Sequence, residues 1–158
     1  MTDSRLEARY RSVDMQNPVL LATGADVDCL VDALLAGPAF HDAVHIVSRG
    51  RSQKPVGFPD HELYVGVSRD LHVGALTLTA PEVGNVSSVG VPGSRGGVAY
   101  HVAEHLLDFS DNSEIPLTLV REAIKEFLHS GGSVPTCIEW KPFEISDGTD
   151  GDPWGASS

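Results

Sequence analysis

Residues 62–79 run ELYVGVSRDLHVGALTLT. Leu63, Val65 and Val67 alternate with Tyr64 and Gly66, the two-residue period of a half-buried strand. Ser68-Arg69-Asp70 can turn the chain, and Leu76 and Leu78 then alternate with Thr77 and Thr79. Two such runs across a short polar turn predict an antiparallel hairpin. Working towards the N-terminus, residues 49–60 are rich in Gly, Pro and charge and predict a loop, while 43–48 predict a strand. PVLLAT at 18–23 reads as another strand whose last residue, Thr23, caps a helix, with Asp26 three positions on. Val27, Leu30, Val31, Leu34 and Leu35 follow at helical spacing until Gly37-Pro38, and Asp28 and Asp32 fall on the wet face. Residues 2–17 are polar and predict a short edge strand or a loose arm.

Towards the C-terminus, 81–97 is dense in Gly, Ser and Val and predicts short strands between turns. Residues 113–132 predict the second helix, with Pro116 in the first turn, where its missing N–H costs nothing. Its apolar stripe is Val120, Ala123, Ile124, Phe127 and Leu128, and Gly131-Gly132 stop it. Residues 136–140 predict a closing strand with Thr136, Ile138 and Trp140 on one side. From Glu144 the chain is acidic, with Gly, Ser and Thr and one isolated Trp154, a composition expected to stay disordered. The expected fold is α+β: a twisted, mainly antiparallel sheet with two principal helices at about 25–36 and 116–130. It forms one domain over residues 1–143, followed by a tail at 144–158.

The chain has 158 residues, enough for one core, and its 11 Lys and Arg against 22 Asp and Glu give a formal charge of −11. Residues 80–158 hold −8 of this, with 4 basic and 12 acidic side chains. Such a surface repels nucleic-acid phosphates and anionic membranes and attracts basic partners. No run approaches the length of about 18 apolar residues that a membrane span needs. Residues 1–17 carry three Arg and no apolar stretch of the kind a secretion signal has. Cys29 and Cys137 sit among apolar neighbours and read as two buried thiols of a reduced, cytoplasmic protein.

The sharpest chemical motif is His101-Val102-Ala103-Glu104-His105. On a helix, histidines four apart would aim at one Zn²⁺ with the glutamate beside a bound water, as in a small zinc-dependent hydrolase. Residues 96–100 (GGVAY) fit a strand better, and such a hydrolase needs a third ligand and a cleft that little chain remains to build. The strand-and-turn reading is therefore preferred, and no metal or cofactor is expected. His41 and His45 repeat the spacing beside a proline-containing turn, a weak signal among seven histidines. Neither cysteine opens a helix or has a basic neighbour to activate it. The run at 90–97 holds a lone Arg95 and none of the Lys-Ser/Thr chemistry of a phosphate loop. Glu104, Asp108, Asp111 and Glu114 place four carboxylates in eleven residues with no Lys or Arg between them. They read as a solvated face and as the candidate surface for a basic partner.

The run EIPLTLVREAIKEFL at 114–128 leads to Ser130-Gly131-Gly132, Pro135-Thr136 and a stretch ending Glu139-Trp140. Leu63–Val67, Gly74-Ala75-Leu76 and Val98-Ala99-Tyr100 lie upstream in order. Together these resemble the type 1 immunity proteins of bacterial polymorphic toxin systems, over roughly residues 7–140. The resemblance implies an α+β protein without catalysis of its own that neutralises a cognate toxin, often a nucleic-acid deaminase, by binding it. It also implies a tryptophan near Asn85, which this chain lacks; Trp140 is matched. The competing readings are the zinc hydrolase on His101, Glu104 and His105, and a generic acidic adaptor.

Overall fold

The computed structural model describes residues 5–49, 60–90 and 98–143. Residues 50–59 of the loop expected at 49–60, the Gly-rich residues 91–97 with Arg95, and the tail at 144–158 lie outside them. The described chain forms β1 (Leu6–Arg9), β2 (Val19–Leu21), α1 (Gly24–Ala36), β3 (Ala43–Ser48), β4 (Glu62–Ser68), β5 (Val73–Ala80) and β6 (Gly84–Ser88). Then come β7 (Ala99–Val102), β8 (His105–Asp108), β9 (Ile115–Pro116), α2 (Leu117–His129) and β10 (Trp140–Pro142).

β4 and β5 form the expected hairpin, in register from Glu62 opposite Thr79 to Ser68 opposite Val73. They are the centre of one sheet ordered β10-β6-β5-β4-β3-β1-β2, with β9 added at the Val73 end of β5. Every pairing among the described strands is antiparallel. Leu63, Val65, Val67, Leu76 and Leu78 all point to one face, where both helices bury their stripes: Val27, Leu30, Val31 and Leu34 from α1, Val120, Ala123, Ile124, Phe127 and Leu128 from α2. α1 begins as read. The Thr23 hydroxyl accepts from the Asp26 N–H, and the Asp26 carboxylate accepts from the Ala22 and Thr23 N–H groups. Such a hydroxyl cap stabilises a helix by about 1 kcal/mol. On the wet face, Arg121 of α2 reaches Asp28 and Asp32 at 3.0 and 2.7 Å, and Lys125 reaches Asp28 at 3.0 Å. These contacts hold Asp28 below its ordinary carboxylate range and fix the crossing of the two helices more than they stabilise it.

Four expectations are corrected. β1 is neither an edge strand nor an arm: it lies between β3 and β2 with Leu6 and Ala8 fully buried, and β2 is the edge. α2 starts at Leu117, because Ile115 and Pro116 pair with Gly74 and Val73 of β5 and the Leu117 N–H bonds to the His72 carbonyl. The closing strand starts only at Trp140. The Glu126 carboxylate on α2 accepts from the N–H groups of Thr136 and Cys137 and from the Thr136 hydroxyl, so that backbone cannot join a ladder. Both cysteines are free and exposed, Cys29 on α1 and Cys137 in that bend. Desolvation and the neighbouring Glu126 push the Cys137 thiol up, the opposite of nucleophile activation.

Candidate partner-binding face

The opposite face of the sheet carries a second layer. β7 and β8 form a separate two-stranded hairpin that packs on β3, β4 and β5 through a small core of Ala43, Ala75, Val98, Tyr100 and Phe109. The Tyr100 ring lies directly on Gly66, where a Cβ would sit 2.2 Å from Cδ2. Phe109 meets that ring edge-on at 5.2 Å. The centre of β4 is therefore buried on both faces rather than one.

The tip of this hairpin is a two-residue turn, Ala103-Glu104, between the paired Val102 and His105. Both turn residues are left-handed, with φ of 49° and 74°, the geometry that matches the twist of the flanking strands. Left-handed backbone costs an L-residue about 1–2 kcal/mol. Here it is held by two anchors: the Ala103 N–H donates to the Tyr10 carbonyl and the Glu104 N–H to the Phe40 carbonyl, each at 3.1 Å. A rigid, strained tip follows.

His101, Glu104 and His105 thus lie on β7, in the turn and on β8, not on one helical face. His101 stands opposite Leu106, and its backbone N–H donates to Asp42. Glu104 approaches His41 at 3.6 Å. Among the described residues no group of three or more His, Cys, Asp or Glu side chains is arranged to hold a metal.

The four clustered carboxylates are separated. Glu104 is exposed at the tip, and Asp108 is exposed at the end of β8 with no ion pair among the described residues. Asp111 is half-buried, and its carbonyl accepts from the Lys141 ammonium at 2.6 Å. Glu114 is only 4% exposed and accepts a hydrogen bond from the Tyr100 hydroxyl, so its place in a solvated patch is corrected. The cause is the segment that carries it. The Gly90 N–H binds the Asn112 carbonyl, and the Ser88 hydroxyl binds the Ser113 carbonyl, which draws Ser113 and Glu114 into the body of the protein. Nothing in the local sequence announces this, since the partners come from β6 and β7.

Two clefts flank the hairpin where it crosses the sheet, sharing the side chains of Tyr64 and Leu107. The first, about 270 Å³, is largely apolar and lies among Met15, His45, Val102 and Leu106. Leu106 is 65% exposed and Met15 45%. The second, about 210 Å³, is formed with Thr77, Thr79, Asn85, Asp108 and Phe143. The Glu62 carboxylate receives the hydroxyl of the shared Tyr64 at 3.0 Å and His45 Nε2 at 3.1 Å. Desolvation, with Glu62 beside it, pushes the Tyr64 phenol up to about 12. Desolvation also lowers His45, despite the opposing effect of Glu62 beside it. Sequence reading missed this face, although the doublet Leu106-Leu107 in a strand was a usable sign: one leucine of an adjacent pair must point outward.

The family model for immunity protein Imm1 matches residues 15–142. The chain belongs to the Imm1 family of immunity proteins. No match is found among curated proteins. The Imm1 match runs from Met15 to the last residue of β10 and takes in the hairpin and both clefts. For this family, function means binding a cognate toxin.

Proposed function

We propose that this Imm1 protein protects its host by binding a cognate toxin in the cytoplasm, and that the toxin is a nucleic-acid-targeting enzyme, a deaminase in kind. The family match over residues 15–142 carries the reading. Charge supports the finer part. An enzyme that works on nucleic acid presents a basic groove to phosphate backbones, and flipped or single-stranded bases reach its active site along it. A chain with a net charge of −11 is repelled by that enzyme's substrate and attracted to the enzyme. Opposite charge raises association rates towards about 10⁸ M⁻¹s⁻¹, and speed matters because free toxin damages the cell that makes it. The chain acts by occupancy, without turnover and without a cofactor.

The test is protection. The cognate toxin domain is expected to be encoded beside this gene; cells producing it should stop growing, and co-production of this chain should restore growth. Sequencing nucleic acid from the intoxicated cells should show base conversions typical of deamination. Continued arrest with folded chain present would overturn the immunity reading. Restored growth without base conversion would remove only the deaminase.

A further inference from the structure

We infer that the toxin docks on the β7–β8 hairpin face, placing an apolar side chain in the Met15–Leu106 cleft and an arginine or lysine in the Asp108 cleft. This rests on the immunity reading and says where and by what chemistry the contact is made.

The first cleft offers what an anchor needs. It is concave and largely apolar, and Leu106 and Met15 stand exposed beside it, so a partner's apolar side chain would desolvate both surfaces. The second cleft is built for a cation. The Asp108 carboxylate is exposed and without an ion pair among the described residues. Asn85 supplies a further oxygen, and its Oδ1 already accepts from the Thr79 hydroxyl at 3.1 Å. Tyr64 and Phe143 add aromatic surface, on which a guanidinium can stack while it forms paired hydrogen bonds to a carboxylate. Thr77, 9% exposed, lines the same cleft, and its hydroxyl has no hydrogen-bond partner. An unmet buried hydroxyl is costly, and a ligand group that reaches it gains what the free protein lacks. Glu62, bonded to the Tyr64 hydroxyl that the two clefts share, adds a second carboxylate near them.

The surface is also pre-set. Tyr100 fixes the base of the hairpin and the two turn amides fix its tip, so little order remains to be imposed on binding. Other faces offer less. Asp28 and Asp32 of α1 are occupied by Arg121 and Lys125, Asp26 caps the helix, and the β2 edge is three residues long.

The experiment measures association and dissociation between this chain and the toxin domain encoded beside its gene, at two salt concentrations. Leu106→Asp and Asp108→Lys are compared with Glu122→Lys, the same charge change on the exposed face of α2. Leu106→Asp should weaken binding on the order of 30-fold, chiefly by faster dissociation. Asp108→Lys should weaken it by a comparable factor, with slower association and a flatter salt dependence. Glu122→Lys should change affinity by less than about threefold, because rim and remote charges contribute little. All three should melt like the parent, since the replaced side chains are exposed. In the parent complex the β8 amides should exchange more slowly than in the free chain.

Parent-like kinetics for Leu106→Asp and Asp108→Lys, or unchanged exchange in β8, would overturn the docking site and leave the immunity reading standing. Equal weakening by Glu122→Lys and Asp108→Lys would reduce the cation cleft to a bulk charge effect and overturn it. A parent chain that does not bind the toxin domain would overturn the immunity reading and this site with it.

Discussion

Replacing Gly66 with alanine should cost about 3 kcal/mol of stability, the upper end of ordinary overpacking, and lift the β7–β8 hairpin from the sheet. The new Cβ would stand 2.2 Å from Cδ2, 2.5 Å from Cγ and 2.9 Å from Cε2 of Tyr100. Those atoms belong to the inner edge of the ring, not to a free end that could swing away. The ring is 2% exposed, has Phe109 against its edge, and donates its hydroxyl to the buried Glu114. It has nowhere to go without moving the hairpin. Thermal melting should show the loss, and hydrogen exchange should show it concentrated in β7 and β8. The source of the cost can be isolated. In a Tyr100→Ala background, adding Gly66→Ala should cost far less than it does alone, a coupling that a double-mutant cycle measures directly. Equal cost in both backgrounds would show that the ring is not what excludes the methyl group. Because the clefts use residues on both sides of this contact, Gly66→Ala should also weaken toxin binding.

Phe127→Ala should lower stability by about 3–5 kcal/mol, the usual cost of removing a buried aromatic ring, and the melting temperature by roughly 10 °C or more. Phe127 is fully buried in α2 on the helical face. Its ring lies 5.9 Å from that of His61, itself 2% exposed, whose Nε2 accepts from the Ser48 N–H at 2.7 Å. That bond sets the tautomer: the proton is on Nδ1, 3.0 Å from the Asp60 carboxylate. Truncation would leave this polar ring beside a void that its neighbours cannot close. The effect on binding should differ from that of Gly66→Ala. Phe127 is across the sheet from the hairpin, so below its melting temperature the variant should associate with the toxin at the parent rate. A loss under about 1 kcal/mol would show that the helical face repacks easily.

The contrast between these two sites explains what sequence made legible. The helical face rests on side chains whose size and spacing repeat along one segment: Leu63, Val65 and Val67, or Val120, Ile124 and Phe127. Their burial can be inferred without knowing the partner. The hairpin face rests on Gly66, Ala75 and Ala43, small residues with no hydrophobic signal of their own. They are buried under Val98, Tyr100 and Phe109, which are distant in sequence. Glu114 is the same lesson with the opposite sign, since a carboxylate between Ser113 and Ile115 looks solvated until Tyr100 and the β6 segment are in place. Thr136 and Cys137 read as a strand because nothing local shows that Glu126 will take their amide groups. The strand-and-turn reading of residues 101–105 survived because it used a local signal, the glycine-led run into Val98-Ala99-Tyr100. The acidic cluster was half legible: Glu104 and Asp108 are exposed as expected, but the apolar cleft beside them combines Met15, His45 and Leu106 from three separate parts of the chain.

The central claim, neutralisation by direct occupancy, is tested most directly by titrating toxin activity. The toxin domain encoded beside this gene is held at fixed concentration with its nucleic-acid substrate, and this chain is added from sub-stoichiometric amounts to excess. Activity should fall in proportion to added chain and vanish near one chain per toxin, returning when the complex is dissociated. Full activity with excess chain bound would contradict the account, as would lasting inactivation of many toxin molecules by each chain, which is the behaviour of an enzyme.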